Sequence, residues 1–208
     1  MFLQVCSHLF ITLFCNSLSV DDACIASGTQ KGEVNIWSVH EKEKVAVLES
    51  GNKFILSCAF NADGTKLATS GVDGVVNIFD VTTKSVIYKV EAHALPARSI
   101  CFAQNLLFSA SDDKHVCVID VNSGTVINSF SQPGLALCVD ASPDMRHFVV
   151  GCSNHTVNYF DLGMQRCQQV LNAQHSDQVW GVAFDKNDPE GSRFASVGDD
   201  GVLQTYER

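Results

Sequence analysis

Residues 66–81, KLATSGVDGVVNIFDV, form a sequence unit of which the chain holds five copies. Each copy begins with small and β-branched residues, continues through a small polar turn, and closes on a second strand-like stretch. The other copies are residues 24–39 (CIASGTQKGEVNIWSV), 106–121 (LLFSASDDKHVCVIDV), 147–162 (HFVVGCSNHTVNYFDL) and 193–208 (RFASVGDDGVLQTYER). A unit that recurs in this way predicts a fold built from repeats.

The spacing of the copies indicates the kind of repeat. The second strand of each copy ends in an anchor residue, and the five anchors are Trp37, Phe79, Ile119, Phe160 and Tyr206. Consecutive anchors are separated by 42, 40, 41 and 46 residues, and the last interval contains a polar insert at residues 186–192. A period of about 40–45 residues with two visible strands is typical of one propeller blade.

The residues between the copies complete the unit. Around the second copy, residues 44–48, 54–60, 67–70 and 75–81 read as four strands, and they are separated by turn dipeptides such as Asp73-Gly74. No stretch shows a sustained helical period. The sequence therefore predicts an all-β fold, a β-propeller with four to five blades of four antiparallel strands, which form either a small closed ring or an incomplete one.

Composition and charge argue against several classes of protein. With 208 residues, 46% of them hydrophobic, the chain is long enough to bury a core. The net charge is −9 and the 14 Lys and Arg residues are scattered, so we expect no direct nucleic-acid partner. The nine cysteines include no C-x-x-C pair and mostly alternate with apolar residues, which indicates buried thiols of a reducing compartment.

The N-terminal segment, residues 1–15, does not fit the repeat. Its apolar run, residues 9–15 (LFITLFC), resembles the core of a secretory signal, although no Lys or Arg precedes it. The run is too short for a transmembrane helix, which needs about 20 apolar residues, and we expect no membrane partner. A third interpretation makes residues 13–18 the inner strand of the first blade, and residues 1–14 also offer the only strand that would close a ring. We divide the chain into this atypical segment, residues 1–15, and a propeller domain, residues 16–208.

The blade period and the aromatic-plus-acid ending, present at residues 79–80, 160–161 and 206–207, resemble the WD-repeat family. This resemblance implies a buried hydrogen-bonded network in each blade, made of a His, a Ser or Thr, an Asp and the anchor aromatic. Two copies match most of these positions: the fifth with His175, Ser196, Asp200 and Tyr206, and the third with His93, Ser109 and Asp113.

The other copies depart from that pattern. The third has Ile119 in place of the aromatic anchor. The second keeps Thr69 and Asp73 but has Lys53 or Phe54 where the His is expected. The first and fourth have Lys31 and Asn154 at the Asp position, so we expect their networks to have decayed further.

A Ser, a His and an Asp within reach of one another also resemble a hydrolase triad, with Ser196 as nucleophile, His175 as base and Asp200 as orienting group. A nucleophile must be accessible and lie beside oxyanion donors, and no G-x-S-x-G motif supports that arrangement here. We therefore predict no enzyme, and we expect loss of His175 to reduce stability before it affects any chemistry.

Motifs for metals and cofactors are equally weak. No His or Cys pair shows zinc-type spacing, and His115 and Cys117 at most share one face of a strand. Neither a G-x-x-x-x-G-K-[ST] nor a G-x-G-x-x-G motif occurs. The sequence predicts neither a cofactor nor a metal.

A surface site is the remaining expectation. The early positions of the predicted inner strands carry Leu56, Arg98, Leu137 and Trp180, which we call the rim residues. Trp and Arg are enriched in binding hot spots, so these residues are the predicted partner-binding set on the top rim. In the alternative interpretation, Leu56 and Leu137 are simply core and only Trp180 is exposed.

Three segments carry a more specific resemblance: residues 54–57 (FILS), 95–99 (LPARS) and 178–182 (QVWGV). They resemble the WD-repeat subunits of the Ski (superkiller) complex, which in animals also belong to the polymerase-associated factor complex. The resemblance implies a non-catalytic scaffold that binds peptide segments of protein partners on its top face. It also implies roles in cytoplasmic mRNA decay with the exosome, in transcription elongation, or in both, and a location in nucleus and cytoplasm. Because that family builds a larger ring, we expect this chain to be truncated.

A second interpretation stays open. A generic WD-repeat adaptor for ubiquitin ligase or signalling assemblies would have the same fold, and the fold by itself does not distinguish the two roles.

Overall fold

The computed structural model describes residues 15–19, 23–51, 54–172, 174–188 and 190–208, which form strands joined by short turns. The strands are β1 Cys15–Leu18, β2 Cys24–Gly28, β3 Glu33–Ser38, β4 Lys44–Glu49, β5 Ile55–Phe60, β6 Lys66–Gly71, β7 Val75–Asp80, β8 Ser85–Glu91, β9 Ala97–Ala103, β10 Leu106–Ser111, β11 His115–Asp120, β12 Thr125–Ser131, β13 Ala136–Ala141, β14 His147–Cys152, β15 Val157–Asp161, β16 Arg166–Leu171, β17 Val179–Phe184, β18 Arg193–Gly198 and β19 Leu203–Glu207.

These strands form five antiparallel sheets in chain order. The first four sheets are β1–β4, β5–β8, β9–β12 and β13–β16, and the fifth consists of β17–β19. Each strand pairs with its neighbour in sequence, which is the arrangement expected of propeller blades. The all-β prediction is therefore confirmed, with a fifth sheet that has three strands in the described part of the chain.

The sheets are arranged as an arc around their inner strands. β1 packs against β5, β5 against β9, β9 against β13, and β13 against β17. Within the described residues, β17 and β1 make no comparable contact. The five sheets are thus consistent with an incomplete propeller, one of the two arrangements expected from the sequence.

The hydrophobic core lies in the wedges between neighbouring sheets, because each strand turns alternate side chains to opposite faces. The anchors Phe79, Ile119, Phe160 and Tyr206 each face the preceding sheet. In the fourth sheet, the rings of Phe160 and Phe148 stack with centroids 4.7 Å apart. The anchors of these four sheets therefore fill the wedges between neighbouring sheets.

The aspartates that follow three of the anchors have a local role. Asp80, Asp120 and Asp161 follow anchors in β7, β11 and β15, and each accepts a hydrogen bond from a backbone N–H of the next turn at 2.7–2.9 Å. Such a carboxylate satisfies a donor that the turn leaves without a backbone partner. The acid therefore fixes the turn to the outer strand and stays half-exposed.

Side chains also link the inner strands of neighbouring sheets, which the sequence did not predict. Ser57 Oγ accepts a hydrogen bond from Ile100 N–H at 3.3 Å. Ser99 Oγ accepts one from Val139 N–H, also at 3.3 Å. Ser17 and Asp140 do the same for Phe60 and Phe184 at 3.2 and 2.8 Å. Each of these inner-strand N–H groups is thereby satisfied although no backbone partner faces it.

The cysteines contribute to packing. Cys58, Cys117, Cys138 and Cys152 are buried free thiols. Burial raises the pKa of the Cys138 thiol to about 12 and that of Cys152 to about 11, so both stay protonated and unreactive at neutral pH.

The described residues contain no helix long and apolar enough to cross a membrane. Cys15–Leu18 is the inner strand of the first sheet and pairs with β2. The remaining expectations for the N-terminal segment fall on residues 1–14, which lie outside the described residues.

Candidate functional site

The rim residues Leu56, Arg98, Leu137 and Trp180 share one backbone feature. In β5, Ile55 pairs with Gly71 and Ser57 pairs with Ser70, so Leu56 is the extra residue of a β-bulge. The register shifts in β9, β13 and β17 place Arg98, Leu137 and Trp180 in the same position. A bulge re-aims its extra side chain away from the sheet, which brings these four residues to one rim.

The rim residues line a pocket of about 380 Å³ together with Ser99 and Cys138. Residues from four successive sheets thus meet at one place, although they are spread over more than a hundred positions of the chain. This size falls within the range of about 300–1,000 Å³ that is usual for ligand sites.

Exposure divides the rim residues. Trp180 is 45% exposed, Leu56 and Arg98 are half-buried, and Leu137 is only 4% exposed. Large exposed Trp side chains are uncommon away from interaction sites, whereas buried leucines are ordinary. Leu137 therefore forms the floor of the pocket, while Trp180 and Arg98 offer surface to a partner.

Arg98 is held by a carboxylate that sequence reasoning missed. Its Nε and Nη2 donate to the two oxygens of Asp112 at 2.6 and 2.8 Å. Asp112 lies in the turn between β10 and β11. A bidentate pair of this kind fixes the plane of the guanidinium as well as its position.

Trp180 is held in the same way. Its indole Nε1 donates to Asp199 Oδ2 at 2.8 Å, and Asp199 lies in the turn between β18 and β19. Both carboxylates are the first acid of an Asp-Asp pair, at residues 112–113 and 199–200. The repeated Asp-Asp dipeptide was the sequence signal for these two contacts. The register of the bulges is needed as well, because it determines which side chain lies beside the first Asp of each pair.

The fifth sheet contains a hydrogen-bonded network of the four residues expected there. His175 Nδ1 lies 3.1 Å from Asp200 Oδ2, His175 Nε2 lies 2.7 Å from Ser196 Oγ, and Ser196 Oγ lies 3.0 Å from the Tyr206 hydroxyl. For a neutral imidazole that donates to the carboxylate, Ser196 donates to Nε2 and accepts from Tyr206. The whole chain of groups is then satisfied.

Asp200 also joins the turn to the loop that carries His175. It accepts from Ser176 N–H at 2.9 Å and from Val202 N–H at 3.0 Å. Burial opposes ionisation of this carboxyl, but the backbone hydrogen bonds and the contact with His175 outweigh burial and lower its pKa. The network therefore contains a stable carboxylate that fixes two loops next to the rim.

The third sheet has the shorter network expected from its sequence. His93 Nδ1 lies 2.9 Å from Asp113 Oδ2, and His93 Nε2 lies 3.1 Å from Ser109 Oγ. The His93 side chain is fully buried. Ile119 packs in the core instead of completing the network.

Two of the sheets expected to have lost their networks keep polar contacts. In the first, Trp37 Nε1 donates to Ser27 Oγ at 3.1 Å. In the fourth, Gln132 occupies the His position, four residues before its inner strand, and accepts from Asn158 Nδ2 at 3.0 Å. The His–Asp pair is therefore missing from these two sheets, as expected, but other hydrogen bonds between polar side chains remain.

The second sheet contains an unsatisfied group. Thr69 is fully buried, and its hydroxyl has no hydrogen-bond partner among the described residues. Gly51 stands four residues before β5, where His93 and His175 stand in their own sheets. The position that would supply a ring nitrogen therefore has no side chain. The alternative His position, Lys53, lies outside the described residues.

The fifth-sheet network is poorly suited to hydrolysis. Ser196 is 1% exposed and His175 is 4% exposed, so a substrate cannot reach the hydroxyl. Among the described residues, no group of three or more His, Cys, Asp or Glu side chains is arranged to hold a metal ion. The accessible chemistry of this part of the molecule is that of the rim pocket.

Comparison with known proteins agrees with this architecture. A family model described as "WD domain, G-beta repeat" matches residues 42–80 and 165–207. WD repeat-containing protein SL1-17 of Schistosoma mansoni is 35% identical over 92% of this chain, which corresponds to 63% of that protein.

More distant relatives have other names. The transcriptional corepressor LEUNIG_HOMOLOG of Arabidopsis thaliana is 27% identical over 91% of the chain and 24% of its own length. A guanine nucleotide-binding protein subunit beta of Zea mays is 22% identical over 88% of the chain and 52% of its own length. The chain thus spans less than two thirds of each of these relatives. The chain is thus similar to WD-repeat proteins, and its recurrent antiparallel sheets have the arrangement expected of propeller blades.

Proposed function

We propose that this chain is a non-catalytic scaffold that binds protein partners through the rim pocket. The observation that carries the proposal is the convergence of four bulge residues from four sheets around one pocket. The bulges bring four side chains from separate sheets to one rim, where a single partner segment can contact them together.

The chemistry of the pocket suits a peptide segment. Trp180 offers an exposed aromatic surface, Arg98 offers a fixed cation, and Leu56 and Leu137 supply an apolar floor. Aromatic and Arg anchors around a desolvated centre are the usual composition of a protein-binding hot spot. No comparable cation cluster for a nucleic-acid backbone is present in the sequence, whose net charge is −9.

We further propose that the partner assemblies are the Ski complex and the polymerase-associated factor complex, with the protein present in nucleus and cytoplasm. The support is the sequence resemblance of residues 54–57, 95–99 and 178–182, each of which contains one rim residue. A generic adaptor role in ubiquitin ligase or signalling assemblies is the competing proposal, and the WD-repeat fold suits both.

The test is a binding experiment with matched variants. The chain, its Trp180→Ala variant and its Arg98→Ala variant are mixed with purified Ski complex and with purified polymerase-associated factor complex, each prepared without its own WD-repeat subunit. We expect each variant to weaken binding by at least about 2 kcal/mol, the size of a hot-spot loss. Ile127→Ala, an exposed apolar side chain on β12, is the control and should bind normally.

The outcomes separate the proposals. If Trp180→Ala binds as tightly as the control Ile127→Ala, the interface lies elsewhere on the molecule. A folded chain that binds neither complex would remove the assignment to these assemblies and favour the generic adaptor role.

A further inference from the structure

In each of the two Asp-Asp turns, one aspartate bonds a buried histidine and the other bonds a rim residue. In the third sheet, Asp113 bonds His93 and Asp112 bonds Arg98. In the fifth, Asp200 bonds His175 and Asp199 bonds Trp180. The second acid therefore belongs to the buried network, and the first acid belongs to the rim.

The sheets without the first acid have a different rim residue. Val72 takes this turn position in the second sheet and Ser153 takes it in the fourth. The bulge residues of those sheets are Leu56 and Leu137, which have no polar group to hold. A first acid and a polar bulge side chain occur together in two sheets and are both missing in two.

This pairing has a consequence for mobility. An indole that is 45% exposed and a guanidinium on a long stem both sample several rotamers when nothing holds them. The bond from Trp180 to Asp199 and the bidentate pair of Arg98 with Asp112 restrict each side chain to one orientation. A partner that meets such a surface does not lose further side-chain entropy there.

We infer that Asp112 and Asp199 are positioning residues, which hold the Arg98 and Trp180 side chains in their binding orientation before a partner arrives. The inference rests on the proposed function of the rim pocket. Asp113 and Asp200 have no such role, because their oxygens serve the buried His residues and the turn N–H groups.

The first test needs no partner. The chain has two tryptophans, so a Trp37→Phe background leaves only Trp180 to fluoresce. We expect Asp199→Ala to lower the fluorescence anisotropy of Trp180, and Asp199→Asn, which keeps an acceptor oxygen, to preserve it. Asp177→Asn removes a charge from the loop before β17 and is the matched control. If Trp37→Phe unfolds the chain, the anisotropy of Trp180 is obtained from the unmodified Trp37 background by subtracting the polarised emission intensities of Trp180→Phe.

The second test is a double-mutant cycle against the purified Ski complex. Asp199→Ala and Asp112→Ala should each weaken binding by about tenfold, the scale of one side chain that must be ordered on association. Neither should weaken binding further when its partner, Trp180 or Arg98, is already Ala. Their midpoints of thermal unfolding should match that of Asp177→Asn.

Each failure has its own meaning. Unchanged Trp180 anisotropy in Asp199→Ala overturns the inference whether or not any complex binds. Additive losses in the cycle overturn it as well, since they would make the carboxylates direct contacts. An unmodified chain that binds neither complex contradicts only the assignment to these assemblies, and the anisotropy result then decides whether Asp199 holds the indole.

Discussion

Leu203 and Val116 occupy the same register position in their sheets, but Leu203 is 64% exposed whereas Val116 is completely buried. Val34, Val76 and Val157 stand at this position in the other sheets and are also fully buried. Each of the four valines faces the following sheet of the arc. In the described residues, Leu203 thus lies on a sheet face that no further sheet covers.

A lysine at these two positions should change the free energy of unfolding by very different amounts. We expect Leu203→Lys to change it by less than about 0.5 kcal/mol, because the ammonium stays in water. Val116→Lys should prevent folding, because an unpaired charge would be buried. Chemical denaturation of both variants checks this. A large loss in Leu203→Lys would mean that the fifth sheet is covered in solution, by another copy or by residues outside the described part.

Replacement of His175 by Ala should lower the stability of the fold. The change leaves Asp200 and Ser196 without their ring nitrogens and opens a cavity, so we expect a loss of about 2–4 kcal/mol in the free energy of unfolding. The exposed His40 is the control, and His40→Ala should cost less than about 0.5 kcal/mol. Equal denaturation midpoints for the two variants would show that the network does not stabilise the sheet.

Thr69→Val should stabilise the protein. The substitution replaces a buried hydroxyl that has no partner with a methyl group of the same shape, which removes a desolvation cost of about 1 kcal/mol. Ser109 stands at the same position of the third sheet and bonds His93, so Ser109→Ala should instead lose about 1 kcal/mol. Urea denaturation of the pair compares the signs. A loss in Thr69→Val would indicate that a water molecule satisfies the hydroxyl.

The sequence predicted the sheets and the buried networks better than it predicted the rim. Strand period and the His, Ser and Asp types at fixed spacing are local signals, so the networks of His93 and His175 could be read directly. The pairing of Asp199 with Trp180 depends on a one-residue shift between two strands. Periodicity does not reveal such a shift, because only Val179 precedes the bulge in β17, and one residue is too few to define an alternation. The Gln132 substitute was missed for another reason, since it keeps the position of a network residue but not its type.

The turn before the third strand of each sheet gives a backbone prediction. Lys114 has a φ of 66°, and Gly74 and Gly201 take the equivalent positions with φ of 74° and 72°. Lys114→Gly should raise the free energy of unfolding by about 0.5–1 kcal/mol, because the left-handed region is unfavourable for a residue with a Cβ.

The converse change, from glycine to a residue with a Cβ, should lower the free energy of unfolding. In Gly74→Ala the new Cβ would clash with the carbonyl oxygen of His93, so the loop that carries this His must shift. We expect a loss greater than about 1 kcal/mol in thermal unfolding measurements, from strain added to the φ penalty. A neutral Gly74→Ala would show that the loop gives way without disturbing the network.

Stability should decline in acid through carboxylates such as Asp113. Burial opposes its ionisation, but attraction to His93 and hydrogen bonds from His93 and backbone N–H groups prevail, so its pKa lies below the ordinary 3.8. Because the unfolded chain then binds the proton more readily, this contribution is complete above about pH 4 and is lost as the pH falls through the lower pKa of the folded state. The pKa of Asp144 and Asp200 is lowered in the same direction.

Asp113→Asn separates this carboxylate from the others. At pH 7 the variant should be less stable than the unmodified chain, because the charge that faces His93 is gone. Between about pH 5 and pH 2 its midpoint of thermal unfolding should fall less steeply, because one fewer group takes up a proton on unfolding. Asp177→Asn should leave both the midpoint and the slope unchanged. Parallel acid profiles for Asp113→Asn and the unmodified chain would mean that Asp113 titrates alike in the folded and unfolded states.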